Sequence, residues 1–356
     1  MAIVPVSQIK LGDRINEDVV TRLGNVLLQK GKTISQRELD VLRAFMIHSI
    51  SIQSTVDAAK PLEEEELTSN NVESEKMVLF QKDFDDTVSK MKKMFALADA
   101  GAPMPVLEIR TQLETLVTNL DQYNILTFTN KRAALADYLY NNSIMVALSS
   151  FMLARWYGLP QKDWTQVAMA GLLHDIGNVR VDPAILNKTS KLMAHELEEM
   201  KKHTVIGYNI LKSVTGLNEG VKLTALQHHE KEDGTGYPLG LKGDKIHIYA
   251  KIVAVADIFH AMTSNRKYKD AQSPYLVLEQ LQTESFGKLD PLVVQTFIDK
   301  VTSFHNGTVV RLNNDSIGEI VFTDSKHPTR PMVNVEGRII NLASERTMFI
   351  QEVIKP

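Results

Sequence analysis

The spacing of apolar residues changes twice along this chain. In residues 1–56 apolar and polar positions alternate in short runs, IVPV, NVLLQ and SISIQ, broken by turn signals at Gly12, Gly24 and Gly31. One amphipathic stretch, Ser35 to Phe45, interrupts them, so the pattern predicts a small α+β module. From residue 77 to residue 305 the spacing becomes helical, in segments such as ILTFTNKRAALADYLYNNSIMVALSSFMLARWYG and DWTQVAMAGLLHDIG, and predicts an all-α domain. Residues 306–356 return to short alternating runs, TVVRLNNDSIGEIVF, MVNVEGRIINL and TMFIQEV, separated by Asn, Asp and Gly turns. They predict a small β-rich module, and the expected fold class is mainly α.

Between the first two regions, residues 57–76 (DAAKPLEEEELTSNNVESEK) hold four consecutive glutamates and almost no large apolar side chains. That composition is expected of an acidic flexible linker. Met77 to Ala98 carries helical spacing that suits a dimerising helix or a packed bundle helix; with no heptad array long enough for a coiled coil, the packed reading is preferred. Further on, Asp163 with Gln166 reads as a capping box and Gly177 as a helix stop, which puts His174 and Asp175 at a helix's carboxyl end. Unpaired carbonyls give that end partial negative charge, which favours a cation.

Composition narrows the chemistry. With 356 residues, 44% hydrophobic and 23% charged, the chain reads as an ordinary globular protein of two or three units. A net charge of −3 and a pI near 6.4 show no global basic field, and no DNA-reading motif appears, so DNA is not an expected partner. The absence of cysteine excludes disulfides, thiolate metal sites and a cysteine nucleophile, leaving His, Asp and Glu as metal ligands. MAIVPVSQIK has no basic segment followed by an apolar stretch, and the longest apolar run, Ile144 to Ala154, falls short of a membrane span. A soluble cytoplasmic protein without a membrane partner is expected.

The candidate chemistry lies in the helical region. His174-Asp175, His203, His228-His229 and Asp257 recur at intervals of about one helix and a turn. Helices in a bundle can present such side chains inward to one centre. Imidazole and carboxylate without thiolate suit iron, manganese, zinc or a mixed pair. Directly after the paired histidines, Asp233-Gly234-Thr235-Gly236-Tyr237-Pro238 combines glycines that permit close backbone approach with a proline that fixes the exit direction. Such a loop suits a position against a ligand beside the metals.

HDIGN (174–178), KKHTVIGYNIL (201–211), LQHHEKEDGTGYPLGLKGDKI (226–246) and KIVAVADIFHAMTSNRKY (251–268) together resemble the HD-GYP family, over about residues 120–304. The resemblance implies an HD-type helical domain with a centre of two or three divalent metals, iron or manganese, that cleaves cyclic di-GMP. It implies His174, Asp175, His203, His228, His229 and Asp257 as metal ligands, with Asp175 the bridge and central catalytic group. A metal-bridged hydroxide would attack phosphorus in line. Gly236, Tyr237 and Pro238 would shape the loop beside the nucleotide, and Arg266 stands where the family keeps an arginine suited to hold a phosphate bidentately.

Three positions depart from the family pattern. Asn142 stands where a ligand histidine is usual, which leaves the metal position of His174, Asp175 and Asp257 less tightly held than that of Asp175, His203, His228 and His229. Asn178 replaces a lysine whose charge could stabilise the transition state. His260 replaces an aspartate one helical turn after Asp257, where it reads as a substitute ligand or, preferably, as a neutral replacement. The expected function is a phosphodiesterase that opens cyclic di-GMP to linear pGpG and onward to GMP. The alternative is an impaired relative that binds a cyclic dinucleotide or a partner and signals. The terminal modules read as interaction modules for protein partners, and a homodimer is left open.

Overall fold

The computed structural model describes residues 2–20, 26–45, 47–53, 64–130, 137–265, 271–303 and 307–355. They group into two compact units, residues 1–75 with 302–356, and residues 76–301.

In the first unit the N-terminal segment supplies strands β1 (Ala2–Pro5), β2 (Arg14–Ile15), β3 (Val19–Val20) and β4 (Val26–Leu28), helix α1 (Gln36–Ala44) and strand β5 (Ser49–Gln53). β5 pairs antiparallel with β1 and β2, and β3 pairs with β4. Glu38 starts α1 by accepting a hydrogen bond from the Ser35 backbone N–H at 3.0 Å, the return half of a capping box. The C-terminal segment supplies β6 (Val309–Leu312), β7 (Ile317–Phe322), β8 (Met332–Val335), β9 (Arg338–Asn341) and β10 (Ile350–Lys355). They form an antiparallel sheet in the order β10-β6-β7-β8-β9.

The sequence reading sets these two segments apart as modules, yet Val309 and Ile317 are buried in one cluster with Ile15, Leu27, Ile34, Leu42 and Ile50. Chains of about 50 residues bury too little surface to be more than marginally stable alone. Pooling their apolar side chains gives both segments one core.

The second unit is helical. Its elements are α2 (Glu64–Asp99, in this unit from Lys76 on), α3 (Val106–Thr118), α4 (Tyr138–Tyr157), α5 (Gln161–Leu173), α6 (Pro183–Leu186), α7 (Ala194–Lys201), α8 (His203–Leu211), α9 (Glu219–Gln227), α10 (Ile248–Thr263), α11 (Pro274–Glu284) and α12 (Pro291–Val301). α2 begins inside the stretch expected to be a flexible linker, so residues 64–76 are helical, while 57–63 lie outside the described residues. Glutamate and lysine lose little rotamer freedom in a helix, and a segment too polar to build a core can still be helical. Phe80, Phe84, Met91, Met94 and Phe95 are buried in the bundle's core, which is the packed-helix arrangement.

α10 is buried on nearly every side, through Ile252, Val253, Val255, Ala256 and Phe259. It therefore carries Asp257, half-buried, into the bundle. α5 is likewise closed over Val167–Leu173 and delivers His174 and Asp175 just past its last turn.

Two helix-end readings change. The residue before α5 is Pro160, with no side-chain cap, and Asp163 instead accepts a hydrogen bond from the Tyr249 hydroxyl on α10 at 2.8 Å. A long-range partner thus takes the carboxylate that local spacing assigned to a cap. Gly177 does not stop α5, which ends at Leu173; it lies in a 3-10 turn, Ile176–Arg180. A Cβ on Gly177 would fall 1.9 Å from the His203 carbonyl oxygen and 2.6 Å from the Gly207 nitrogen, so glycine is required because the turn lies against the backbone of α8.

Gly177→Ala is expected to lower stability by about 1–3 kcal/mol, the usual range for forcing extra volume into a packed contact. Thermal or urea unfolding of the two proteins checks it.

Candidate metal centre

Three of the site's four histidines are fixed by helix ends. Backbone carbonyls in the last turn of a helix lack intrahelical partners. His174 Nδ1 lies 2.7 Å from the Gly171 oxygen of α5, His203 Nδ1 lies 2.7 Å from the Met200 oxygen of α7, and His228 Nδ1 lies 3.0 Å from the Thr224 oxygen of α9. A carbonyl can only accept, so each Nδ1 carries a proton, and a ring that is neutral presents its Nε2 as a lone pair. Those Nε2 atoms converge.

His174 Nε2 stands 3.5 Å from Asp175 Oδ2 and 3.5 Å from Asp257 Oδ1. Asp175 Oδ1 faces the other way, 3.4 Å from His203 Nε2 and 3.7 Å from His228 Nε2. One carboxylate therefore addresses both halves of the cluster. His203, His228 and His229 form one group able to hold a metal ion, and His174, Asp175 and His228 form another, each with its ligand atoms within 4.8 Å of one another.

Two observations show that a cation fits this donor set. His174 Nε2 is buried and has no hydrogen-bond partner. His203 Nε2 and His228 Nε2 are 3.3 Å apart, and two lone pairs at that distance repel unless a positive centre is shared between them. The electrostatics agree. Burial pushes the His174 imidazolium down, but Asp175 and Asp257 outweigh it and raise the group to about 9, a demand for positive charge at that position. Burial, with His174 and His203 nearby, drives His228 down to about 3, and burial beside His228 also lowers His229, so both are neutral, ligand-ready imidazoles. Burial pushes Asp257 up, but the neighbouring His174 outweighs it and holds the carboxylate well below its usual range.

The loop after the paired histidines folds back on them. A Cβ on Gly236 would fall 2.4 Å from the Lys231 nitrogen and 2.5 Å from the His229 oxygen, so glycine is what lets the chain return this closely. The Tyr237 N–H donates to the His229 oxygen at 3.2 Å, and the Tyr237 ring stacks on the His229 ring with centroids 4.7 Å apart. Glu230, buried directly after the two histidines, accepts from the Leu239 N–H at 2.7 Å and the Leu241 N–H at 2.9 Å. It pins the far side of the loop. The sequence reading passed over Glu230, although a carboxylate just before a glycine-rich turn is a signal for a side chain that holds backbone N–H groups.

The departing positions fall as follows. Asn142, on α4, donates from Nδ2 to Asp257 Oδ1 at 3.1 Å, leaving its own Oδ1 buried without a partner. Asn178 is buried in the 3-10 turn and supplies no charge there. His260 Nε2 lies 2.7 Å from the Ser149 hydroxyl and 3.2 Å from that of Tyr123, and burial lowers its pKa to about 3. Its Nε2 thus faces two hydroxyls; no local pattern could find partners 111 and 137 residues away. Arg266 lies outside the described residues.

Residues 125–293 match the family model described as HD domain. The cyclic di-GMP phosphodiesterase PA4108 of Pseudomonas aeruginosa is 34% identical over 199 residues, 56% of this chain and 48% of that protein. The 3′3′-cGAMP-specific phosphodiesterase 2 of Vibrio cholerae is 38% identical over 160 residues, 45% of this chain and 31% of that protein. The cyclic di-GMP phosphodiesterase PdeB of Borreliella burgdorferi is 31% identical over 209 residues, 58% of this chain and 55% of that protein. The chain thus spans about half or less of the length of these relatives. Bd1817, a HDG"Y"P protein from Bdellovibrio bacteriovorus, aligns in structure with a TM-score of 0.47 and 16% identity, over 85% of this chain and 99% of that one. The family match falls on the helices that carry the His and Asp cluster, so the helical unit carries an HD domain, and its paired histidines followed by a Gly-Tyr-Pro loop are similar to the HD-GYP family.

Proposed function

We propose that this protein is a metal-dependent phosphodiesterase that opens cyclic di-GMP to linear pGpG and onward to GMP. The observation that carries the reading is the convergence of three Nε2 atoms and two carboxylates, with each of those rings fixed through Nδ1 on a helix-terminal carbonyl. His174, Asp175, His203, His228, His229 and Asp257 would hold two or three divalent ions, iron or manganese, with Asp175 as the bridge. Such ions, when bound, supply positive charge against phosphate oxygens and acidify water near neutral pH.

The chain's own residues contribute position. The helix ends set the imidazoles of His174, His203 and His228 before any ligand arrives, so little reorganisation is needed when charge develops. The Gly236-Tyr237-Pro238 loop, held by Glu230, walls one side of the cluster and would lie beside the nucleotide. Arg266 is proposed to grip a phosphate with its planar fork. A second reading has its own observation. The Asn142 hydrogen bond to Asp257 Oδ1 takes up a lone pair that a metal would use, and Asn178 supplies no charge at its position in the turn. Both favour an impaired relative that binds a cyclic dinucleotide or a partner.

Purified protein supplied anaerobically with Fe(II), or with Mn(II), is expected to release linear dinucleotide from cyclic di-GMP. Asp175→Ala is expected to lose more than the roughly 10–100-fold that removal of a ligand's supporting partner costs. Running 3′3′-cGAMP in parallel reads the base preference. A metal-loaded protein that binds either nucleotide without product would transfer the assignment to the binding role.

Asn142→His is expected to raise metal content and turnover together, since an imidazole is the stronger ligand and frees Asp257 Oδ1 from the amide. Metal analysis beside the rate assay checks it, and no change in either would count against a site limited at that position.

A further inference from the structure

We infer that Tyr237 is a positioning residue for the imidazole of His229, holding that ring by stacking in place of the hydrogen bond that fixes each of the other three histidines. The inference rests on the metal reading of this site. His174, His203 and His228 each anchor Nδ1 on a backbone carbonyl, whereas among the described residues His229 makes no side-chain hydrogen bond. Rotation about the last side-chain bond of histidine is broad and two-fold, so a free ring would not hold its nitrogen on a metal. Orientation has to come from contact.

His229 sits within a set of rings. His228 lies 4.1 Å away at an interplanar angle of 45°, His203 lies 5.2 Å away at 84°, and Tyr237 lies 4.7 Å away at 28°. The first two are themselves candidate ligands, with their own planes set by their carbonyls. Tyr237 is the near-parallel neighbour, and its ring covers the His229 face.

Tyr237 is itself well restrained. Its N–H is tied to the His229 oxygen, and the loop beyond it is tied to Glu230. Lys201 Nζ stands 5.5 Å from the Tyr237 ring centroid, and is held there by Glu198 at 2.6 Å. The phenol hydroxyl makes no hydrogen bond among the described residues, so the ring is the part that acts. The glycine before the tyrosine then has a reason beyond turn formation: without that close approach the ring could not reach His229.

The test is Mn(II) binding by metal-stripped full-length protein, measured by equilibrium dialysis for the wild type, Tyr237→Phe and Tyr237→Leu. The Phe variant is expected to bind like the wild type, and the Leu variant about 10–100-fold more weakly. Equal affinity of the Leu variant and the wild type would overturn the inference, as would equal losses in Phe and Leu, which would give the role to the hydroxyl. A wild type that binds no Mn(II) would instead sink the metal reading beneath it. Should the Leu variant fail to fold, the His229 ring-proton NMR shifts of metal-stripped wild-type protein serve in its place: stacking moves them upfield, and shifts like those of free histidine would refute it.

Discussion

The site depends on one pairing, an imidazole Nδ1 donor on a carbonyl in the last turn of a helix. α5, α7 and α9 each end with such an acceptor, and each takes a histidine three or four residues further on. The same bond that completes the helix chooses the tautomer and turns Nε2 inward. Folding and site assembly are in this respect one event, and the carboxylates of Asp175 and Asp257 then meet donors that are already placed.

Close packing of backbone makes the convergence possible. The turn containing Gly177 lies against α8 at a distance that excludes any Cβ, and this brings the start of α8, with His203, up to the end of α5, with His174 and Asp175. Gly236 does the same for the loop after α9. Both glycines trade backbone entropy for proximity, and at both the gain is the position of a histidine.

Buried charge is managed by pairing. Asp257 sits in a helix most of whose residues are apolar and buried, where an isolated carboxylate would be disfavoured. His174 and Asn142 both turn toward it. The asparagine keeps the carboxylate satisfied but commits an oxygen to an amide, while its own carbonyl is left buried without a partner, a deficit of about 1–3 kcal/mol. That tension is local to one end of the cluster, since the group of His203, His228 and His229 does not involve it.

The sequence by itself determined the class of each region, the helical spacing of the bundle and the residues of the cluster, because apolar periodicity and the ordered His, Asp and Gly-Tyr-Pro motifs are written in adjacent positions. α1, α4, α5 and α10 and the strands β4, β5, β6 and β7 fall where the pattern places them. It could not show that the two terminal segments share a core, since Val309 and Ile15 are nearly the whole chain apart. Nor could it show why Gly177 is glycine or where Asp163 finds its partner: a helix stop and a capping box are local signals, whereas the approach of α8 and the hydroxyl of Tyr249 are properties of packing. Tautomers, the stack on His229 and the hydroxyl partners of His260 were likewise decided by tertiary structure, because each depends on distance between elements, which sequence spacing does not encode.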